Sequence, residues 1–240
     1  MARSRVSSGV FMRITVAMWV IALLGLASVA HAQPASGTIY LEGGATLSHQ
    51  SGDSGTVHET YVSAPGGTTL GWLVGGGVGI GRRASVAVEF SSTGTMTATE
   101  SSRYFTTYEE SRRDRFLIAG VRFSLSASDA LVFEPVVGLA ITFAEASSQA
   151  IYTDPFSQRP ADVKVTHDLS PGVGPAFGCD VRLGGGRVAV VPGVRIIRSA
   201  ISSGRYDDSN ASPDVDISSI YPGGYPAWTT RASVLARVGF

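Results

Sequence analysis

Three residue types that together can carry out acyl transfer stand close to one another at His167, Asp168 and Ser170, and His49 with Ser51 forms a second such neighbourhood. A serine hydroxyl becomes a nucleophile when an imidazole takes its proton and a carboxylate orients that imidazole. Serine is frequent enough here for such neighbours to arise by chance, and no recognised motif surrounds either set, so no catalytic residue is expected. Asp207, Asp208, Asn210, Asp214 and Asp216 offer the oxygen ligands that calcium takes, but their spacing matches no EF-hand loop. Cys179 is the only cysteine, and no Cys/His cluster has metal-site spacing. Neither a metal nor a cofactor is expected.

A second group of residues is more informative. Glu42, Glu89, Glu134 and Asp180, with Arg122, Arg182, Arg195, Arg231 and Arg237, sit in segments whose neighbouring residues are bulky and apolar, and every second residue from each charge is mostly small. In 131–143, Phe133, Pro135, Val137, Leu139, Ile141 and Phe143 oppose Glu134, Val136, Gly138, Ala140 and Thr142; 169–183 repeats the pattern, with Leu169 placed on its bulky face. Alternation with period two is the mark of a β-strand. In a soluble barrel the bulky face would fill the interior, but an eight-stranded interior is too narrow for it. The inverted assignment sends bulky residues to lipid and the nine charges to the lumen, where they are tolerated only if paired and hydrogen-bonded. An ion-pair network plugging the lumen is therefore predicted. Gly71, Gly75, Gly77, Gly79 and Gly81 recur every second residue in 69–81 and are predicted to line the lumen, leaving space for arginines from other strands.

Eight such segments occur, at 37–48, 69–81, 85–94, 115–125, 131–143, 169–183, 188–198 and 228–240. Each meets the roughly 9 to 11 residues that a tilted membrane strand needs. The connections after the second, fourth and sixth are a few residues long, and those after the others are long. Membrane barrels sort their connections in this way, short turns on the periplasmic side and long loops outside, with both termini periplasmic when the strand number is even. Tyr40, Phe90, Phe123, Phe133, Phe143, Tyr225, Trp228 and Phe240 lie near strand ends and are assigned to interfacial girdles.

The two ends of the chain agree with this. Residues 1–32 carry Arg3, Arg5 and Arg13, an apolar run from Ile14 to Val29 and the small-residue exit Ala30-His31-Ala32, and are read as a signal peptide with 33–240 as the mature domain. Removing three of 19 basic residues and no acid leaves 16 against 19, a mature formal charge of −3 with no nucleic-acid footprint. At the other end, Val234, Ala236, Val238 and the last residue, Phe240, share the face opposite Arg231, Ser233, Arg237 and Gly239.

This terminal strand closed by Phe resembles the C-terminal insertion signal of bacterial outer-membrane barrels. Together with the export signal, the alternating strands and the parity-sorted loops, it makes the chain resemble the small outer-membrane β-barrel superfamily typified by the OmpA and OmpX transmembrane domains. The resemblance implies an all-β, eight-stranded antiparallel up-and-down transmembrane barrel in the outer membrane of a Gram-negative bacterium. Its implied partners are outer-membrane lipids and, during insertion, the barrel-assembly machinery, and the chain is expected to be a monomer. No periplasmic domain is expected after Phe240. Family functions range from anchoring and adhesion to lipid remodelling, so the fold does not choose among them.

Three functions are weighed. The first is a non-enzymatic barrel with a structural or surface-binding role through outer loops at 49–68, 95–114, 145–168 and 200–227. There Arg103, Tyr104, Phe105 and Tyr108, beside Arg112 and Arg113, form a candidate contact patch for an unidentified surface ligand. The same stretch also reads as a strand continuing beyond the membrane. The second is a narrow channel of low conductance, and the third a lipid A-modifying enzyme.

Overall fold

The computed structural model describes residues 37–50, 53–57, 60–64, 66–81, 83–100, 107–128, 130–153, 160–184, 186–199, 201, 204–208 and 228–240. The assigned signal peptide, His58, Ser51, Arg103, Tyr104, Phe105, Tyr225, and Asn210, Asp214 and Asp216 lie outside these residues. The side chains of Tyr108, His167, Asp168, Asp207 and Asp208 lie outside the described ones too.

The strands, in chain order, are β1 (Ile39–Gln50), β2 (Asp53–Val57), β3 (Thr60–Ala64), β4 (Gly67–Gly79), β5 (Ala84–Ser92), β6 (Met96–Glu100) and β7 (Thr107–Phe123). They continue as β8 (Leu125–Ser128), β9 (Leu131–Thr153), β10 (Pro160–Leu169), β11 (Gly172–Leu183), β12 (Val188–Arg198), β13 (Gly204–Asp208) and β14 (Trp228–Gly239). Eight of them pair antiparallel in a ring: β1 with β4, then β5, β7, β9, β11, β12 and β14, which returns to β1. The register that closes the ring runs from Tyr40 opposite Gly239 to Gln50 opposite Thr229. Closure satisfies the edge groups that an open sheet would leave unpaired in lipid. The chain is thus a closed eight-stranded antiparallel β-barrel.

The short connections behave as expected. Gly184 and Gly186 turn β11 into β12 with φ of 106° and 86°, a left-handed conformation that side-chain-bearing residues rarely adopt. Gly37, the first described residue, and Phe240 stand at this same end, where Gly37 N donates to Gly79 O and Phe240 N to Ile39 O.

At the far end the stretch 95–114 follows the reading of a strand that continues beyond the membrane, and other long connections do so too. Much of what was assigned to outer loops is strand: β2 pairs β3, β6 pairs β7 and β10 pairs both β9 and β13. With 23 residues, β9 exceeds any membrane thickness, so the wall rises past the bilayer on the side of β7, β9 and β10.

The 169–183 segment is also not one strand. Asp168 stands opposite Glu145 while Gly172 stands opposite Thr142, so one extra residue is accommodated around Ser170 and Pro171. Such a bulge inverts which face successive residues take. Leu169, assigned to lipid, is accordingly buried, whereas Val173, Phe177 and their even-spaced companions face out.

Elsewhere the inverted barrel is as the alternation predicts. Exposed bulky residues occur on every barrel strand, among them Leu41, Leu70, Val88, Phe123, Leu139, Val173, Ile196 and Val234. A continuous apolar exterior of this extent is incompatible with water and suited to lipid. Among the described residues the interior also contains apolar clusters, one of Phe116, Ile118, Ala140, Ala176 and Ile197, and one of Leu73, Ala189, Val191 and Leu235.

Candidate functional site: the lumenal ion-pair network

All nine charged residues predicted for the lumen are buried there. Their positions along the strands follow from simple parity. Their partners do not. In the ladder, Glu42 stands opposite Arg237, a favourable pair, but Arg195 stands opposite Arg231 and Asp180 opposite Glu134. Like charges in directly opposed positions repel. The repulsion is relieved by groups crossing the lumen from other strands.

Glu89, from β5, is the hub. Its Oε1 accepts from Arg122 Nη2 at 2.7 Å and Arg195 Nη2 at 2.6 Å, and its Oε2 accepts from Arg231 Nη2 at 2.5 Å. One carboxylate thereby holds three guanidiniums, two of which are lateral neighbours. Arg195 also binds Asp180 through Nη1 and Nη2 at 2.6 and 2.7 Å. Arg122 makes a two-pronged contact with Glu42 and lies 3.4 Å from Asp180 through its Nε. Arg237 links Glu42 at 3.0 Å to Glu134 at 2.7 Å, and Arg182 completes the set at 3.4 Å from Glu134. The result is one connected network of ion pairs, most of them charge-assisted hydrogen bonds, with Arg182–Glu134 and Arg122 Nε–Asp180 as close charge contacts only.

Two small features make room for it. A Cβ at Gly193 would lie 2.0 Å from Asp180 Oδ1, so only glycine admits that carboxylate to Arg195. A Cβ at Gly77 would lie 2.4 Å from the Tyr40 hydroxyl, and one at Gly75 would lie 3.4 Å from Glu42 Oε1. The glycine column of β4 therefore does line the lumen, but at these two positions it accommodates Tyr40 and Glu42 rather than arginines. Tyr40 itself, assigned to a girdle, is buried inside. Its hydroxyl accepts from Arg122 Nη1 at 3.2 Å, and its ring faces the Arg237 guanidinium at 4.5 Å, a cation–π contact. Inward placement of an aromatic is invisible to a reading by position along the strand, although the parity shared with Glu42 was available as a signal. Phe123, Phe133, Phe143, Trp228 and Phe240 are exposed as assigned, and Phe90 packs on Trp72 at a 5.6 Å centroid distance.

β7 begins at Thr107, ahead of the segment 115–125, in keeping with the reading of a strand that continues beyond the membrane. Its inward column continues through Phe116 to Asp114, Arg112 and Glu110, all buried, whereas Arg112 and Asp114 were assigned to an outer loop. Arg112 donates to both Asp114 oxygens at 2.8 and 2.5 Å, and Gln50 Nε2 donates to Asp114 Oδ2 at 2.5 Å and to Thr229 Oγ1 at 3.0 Å. This second polar layer lies beyond the Phe116 cluster, toward the outer end. With it, the described interior contains six acids (Glu42, Glu89, Glu110, Asp114, Glu134, Asp180) and six arginines, in formal balance.

His49 is exposed and its Nδ1 lies 3.0 Å from Thr68 Oγ1. His167 and Asp168 take successive positions in β10, opposite Ala146 and Glu145. Among the described residues no cluster of His, Cys, Asp or Glu is placed to hold a metal ion.

Mutation of Glu134 to Ala is expected to lower the unfolding free energy by about 1–3 kcal/mol, because Arg237 keeps Glu42 while Arg182 loses a buried carboxylate. The temperature at which the folded band gives way to the unfolded one on a detergent gel measures this, and an unchanged temperature would refute it.

An apolar wall outside, a charge-balanced interior and eight closed antiparallel strands define a small outer-membrane β-barrel, and the protein is placed in the outer membrane. No protein-family description matches the chain, and no curated protein matches it in sequence. Solved structures do match in fold. The outer membrane protein OprG from Pseudomonas aeruginosa superposes with a TM-score of 0.51 at 8% identity, covering 86% of this chain and 99% of that one. The outer membrane protein AlkL, determined in lipid bilayers, gives 0.52 at 11% identity, covering 89% and 94%. At these identities the likeness is one of fold.

Proposed function

We propose that this protein is a non-enzymatic outer-membrane barrel whose lumen is plugged, with a structural or surface-binding role performed outside the membrane. The observation that carries the reading is the Glu89 hub: three guanidiniums from β7, β12 and β14 converge on one carboxylate of β5, across the space a solute would have to use. An eight-stranded interior has room for side chains or for a passage, not for both. The Phe116 cluster and the Arg112–Asp114 layer add two further obstructions along the same axis.

The binding role is supported by where the chain invests its excess strand. The β7, β9 and β10 wall projects beyond the bilayer as hydrogen-bonded ladder, a more rigid platform for contacts than loops would be. In sequence, the candidate patch of Arg103, Tyr104, Phe105 and Tyr108 falls between Glu100, the last residue of β6, and Glu109 of β7.

Single-channel recording in planar bilayers tests the plug. The wild-type protein is expected to show no sustained openings, and a variant lacking both Glu42 and Glu89 is expected to show them. Sustained wild-type conductance would favour the narrow channel instead.

A further inference from the structure

The interior is balanced in charge as a whole but not level by level. Among the described residues, five buried guanidiniums around the Glu89 hub face four carboxylates, whereas the outer layer counts Arg112 against Glu110 and Asp114. The Phe116 cluster lies between the two levels, so the hub keeps one positive charge in excess. A buried charge without a counter-charge is costly.

The hub also has more hydrogen-bond donors than acceptors. Arg122, Arg195 and Arg231 each keep a buried Nε–H with no acceptor among the described residues. Arg231 differs from the other two in what faces it. Its ladder partner on β1 is Ser48, whose hydroxyl is likewise buried and unpartnered, and Thr46, two residues along the same face, is in the same state. Arg195 stands opposite Gly178 and Arg231, and Arg122 opposite Val136 and Ser85, whose hydroxyl contacts Tyr40.

Arg231 reaches from β14 to β5, where its Nη1 lies 2.5 Å from Ser91 Oγ and its Nη2 2.5 Å from Glu89 Oε2. β1 and β4 stand between those strands in the ring, so its stem passes Ser48, Thr46 and Gly71. A Cβ at Gly71 would lie 2.9 Å from Thr46 Oγ1, and glycine there leaves that hydroxyl its space. Ser48 and Thr46 are about 6.7 Å apart along β1, a gap that one ion can span with a hydrogen bond from each.

Buried donors without acceptors, in a level with excess positive charge, call for an anion. With Nη1 and Nη2 taken, Arg231 offers a single N–H rather than the fork that binds paired oxygens. Three single donors from different directions suit a spherical acceptor. We propose that Arg231 Nε, Ser48 Oγ and Thr46 Oγ1 form a binding site for one monatomic anion, chloride, inside the lumen beside the hub. Glu89, already shared by three guanidiniums, bars the anion from going further, so the site holds the ion without conducting it.

The test uses the full mature protein in phosphatidylcholine vesicles, in sodium chloride or sodium gluconate at equal ionic strength, so that screening is the same. The temperature at which half of the heat-modifiable band is lost is expected to be a few degrees higher in chloride, because a ligand of the folded state alone stabilises it. Thr46→Val and Ser48→Ala each remove one hydroxyl and leave every Glu89 contact in place. The chloride increment is expected to shrink in each and to vanish in the double variant. Bromide soaked into crystals of the wild type locates the ion by anomalous scattering and serves if a variant fails to fold; the peak is expected between Ser48 and Thr46. Equal temperatures for wild type in the two salts, an increment unchanged in the double variant, or no bromide at that position would overturn the site.

Discussion

Replacing Glu89 by alanine is expected to destabilise the folded barrel by about 3–5 kcal/mol, the loss seen when one partner of a buried ion pair is removed. Three guanidiniums lose an acceptor at once. Arg122 and Arg195 retain Glu42 and Asp180, but Arg231 is left with Ser91, whose hydroxyl lies 2.5 Å from its Nη1. The lateral repulsion between Arg195 and Arg231 then has no compensating charge between them. Glu89→Gln should fall short of the alanine effect, since the amide oxygen can still accept while the charge is gone. Urea unfolding in lipid vesicles, followed by the heat-modifiable band, gives both values. A smaller loss for Glu89→Ala than for Glu134→Ala would show that the hub is misassigned.

The second large effect is expected at the seam where the ring closes. Gly44 stands opposite Leu235 on β14, and a Cβ there would lie 2.1 Å from the Val234 carbonyl oxygen and 2.9 Å from the Leu235 Cα. The obstacle is backbone, which cannot rotate away as a side chain would. Gly44→Ala must therefore push β1 and β14 apart, at about 1–3 kcal/mol of overpacking, and at the one pairing that joins the first strand to the last. The expected result is a reduced yield of the folded form on refolding into vesicles. Gly43→Ala is the control: it lies next in sequence, on the other face, and its Cβ would meet nothing closer than the Leu73 carbonyl oxygen at 3.5 Å. Equal refolding yields for the two variants would refute the seam argument.

The two predictions differ in how far the sequence anticipates them. That Glu89 points inward follows from its place among Val86, Val88 and Phe90, which alternate with Ser85, Ala87 and Ser91. That it meets Arg122, Arg195 and Arg231 does not follow, because those residues lie 33, 106 and 142 positions away. Tyr40 shows the same division, its parity plain in the chain and its lodging against Arg237 a matter of what stands across the lumen. Leu169 shows where parity itself fails. One extra residue near Pro171 shifts the register against β9, and Leu169 takes the face opposite to that of Val173 and Phe177.

What the chain determined unaided is therefore the set of faces: alternation is a local property of an extended backbone, so each strand carries its own record of which residues meet lipid and which the lumen. Strand closure decided everything that concerns pairs. The tilt and stagger of eight strands bring residues from distant segments to one level, and this choice of neighbours makes a balanced network out of charges that, along the ladders, would include Arg195 beside Arg231 and Asp180 beside Glu134.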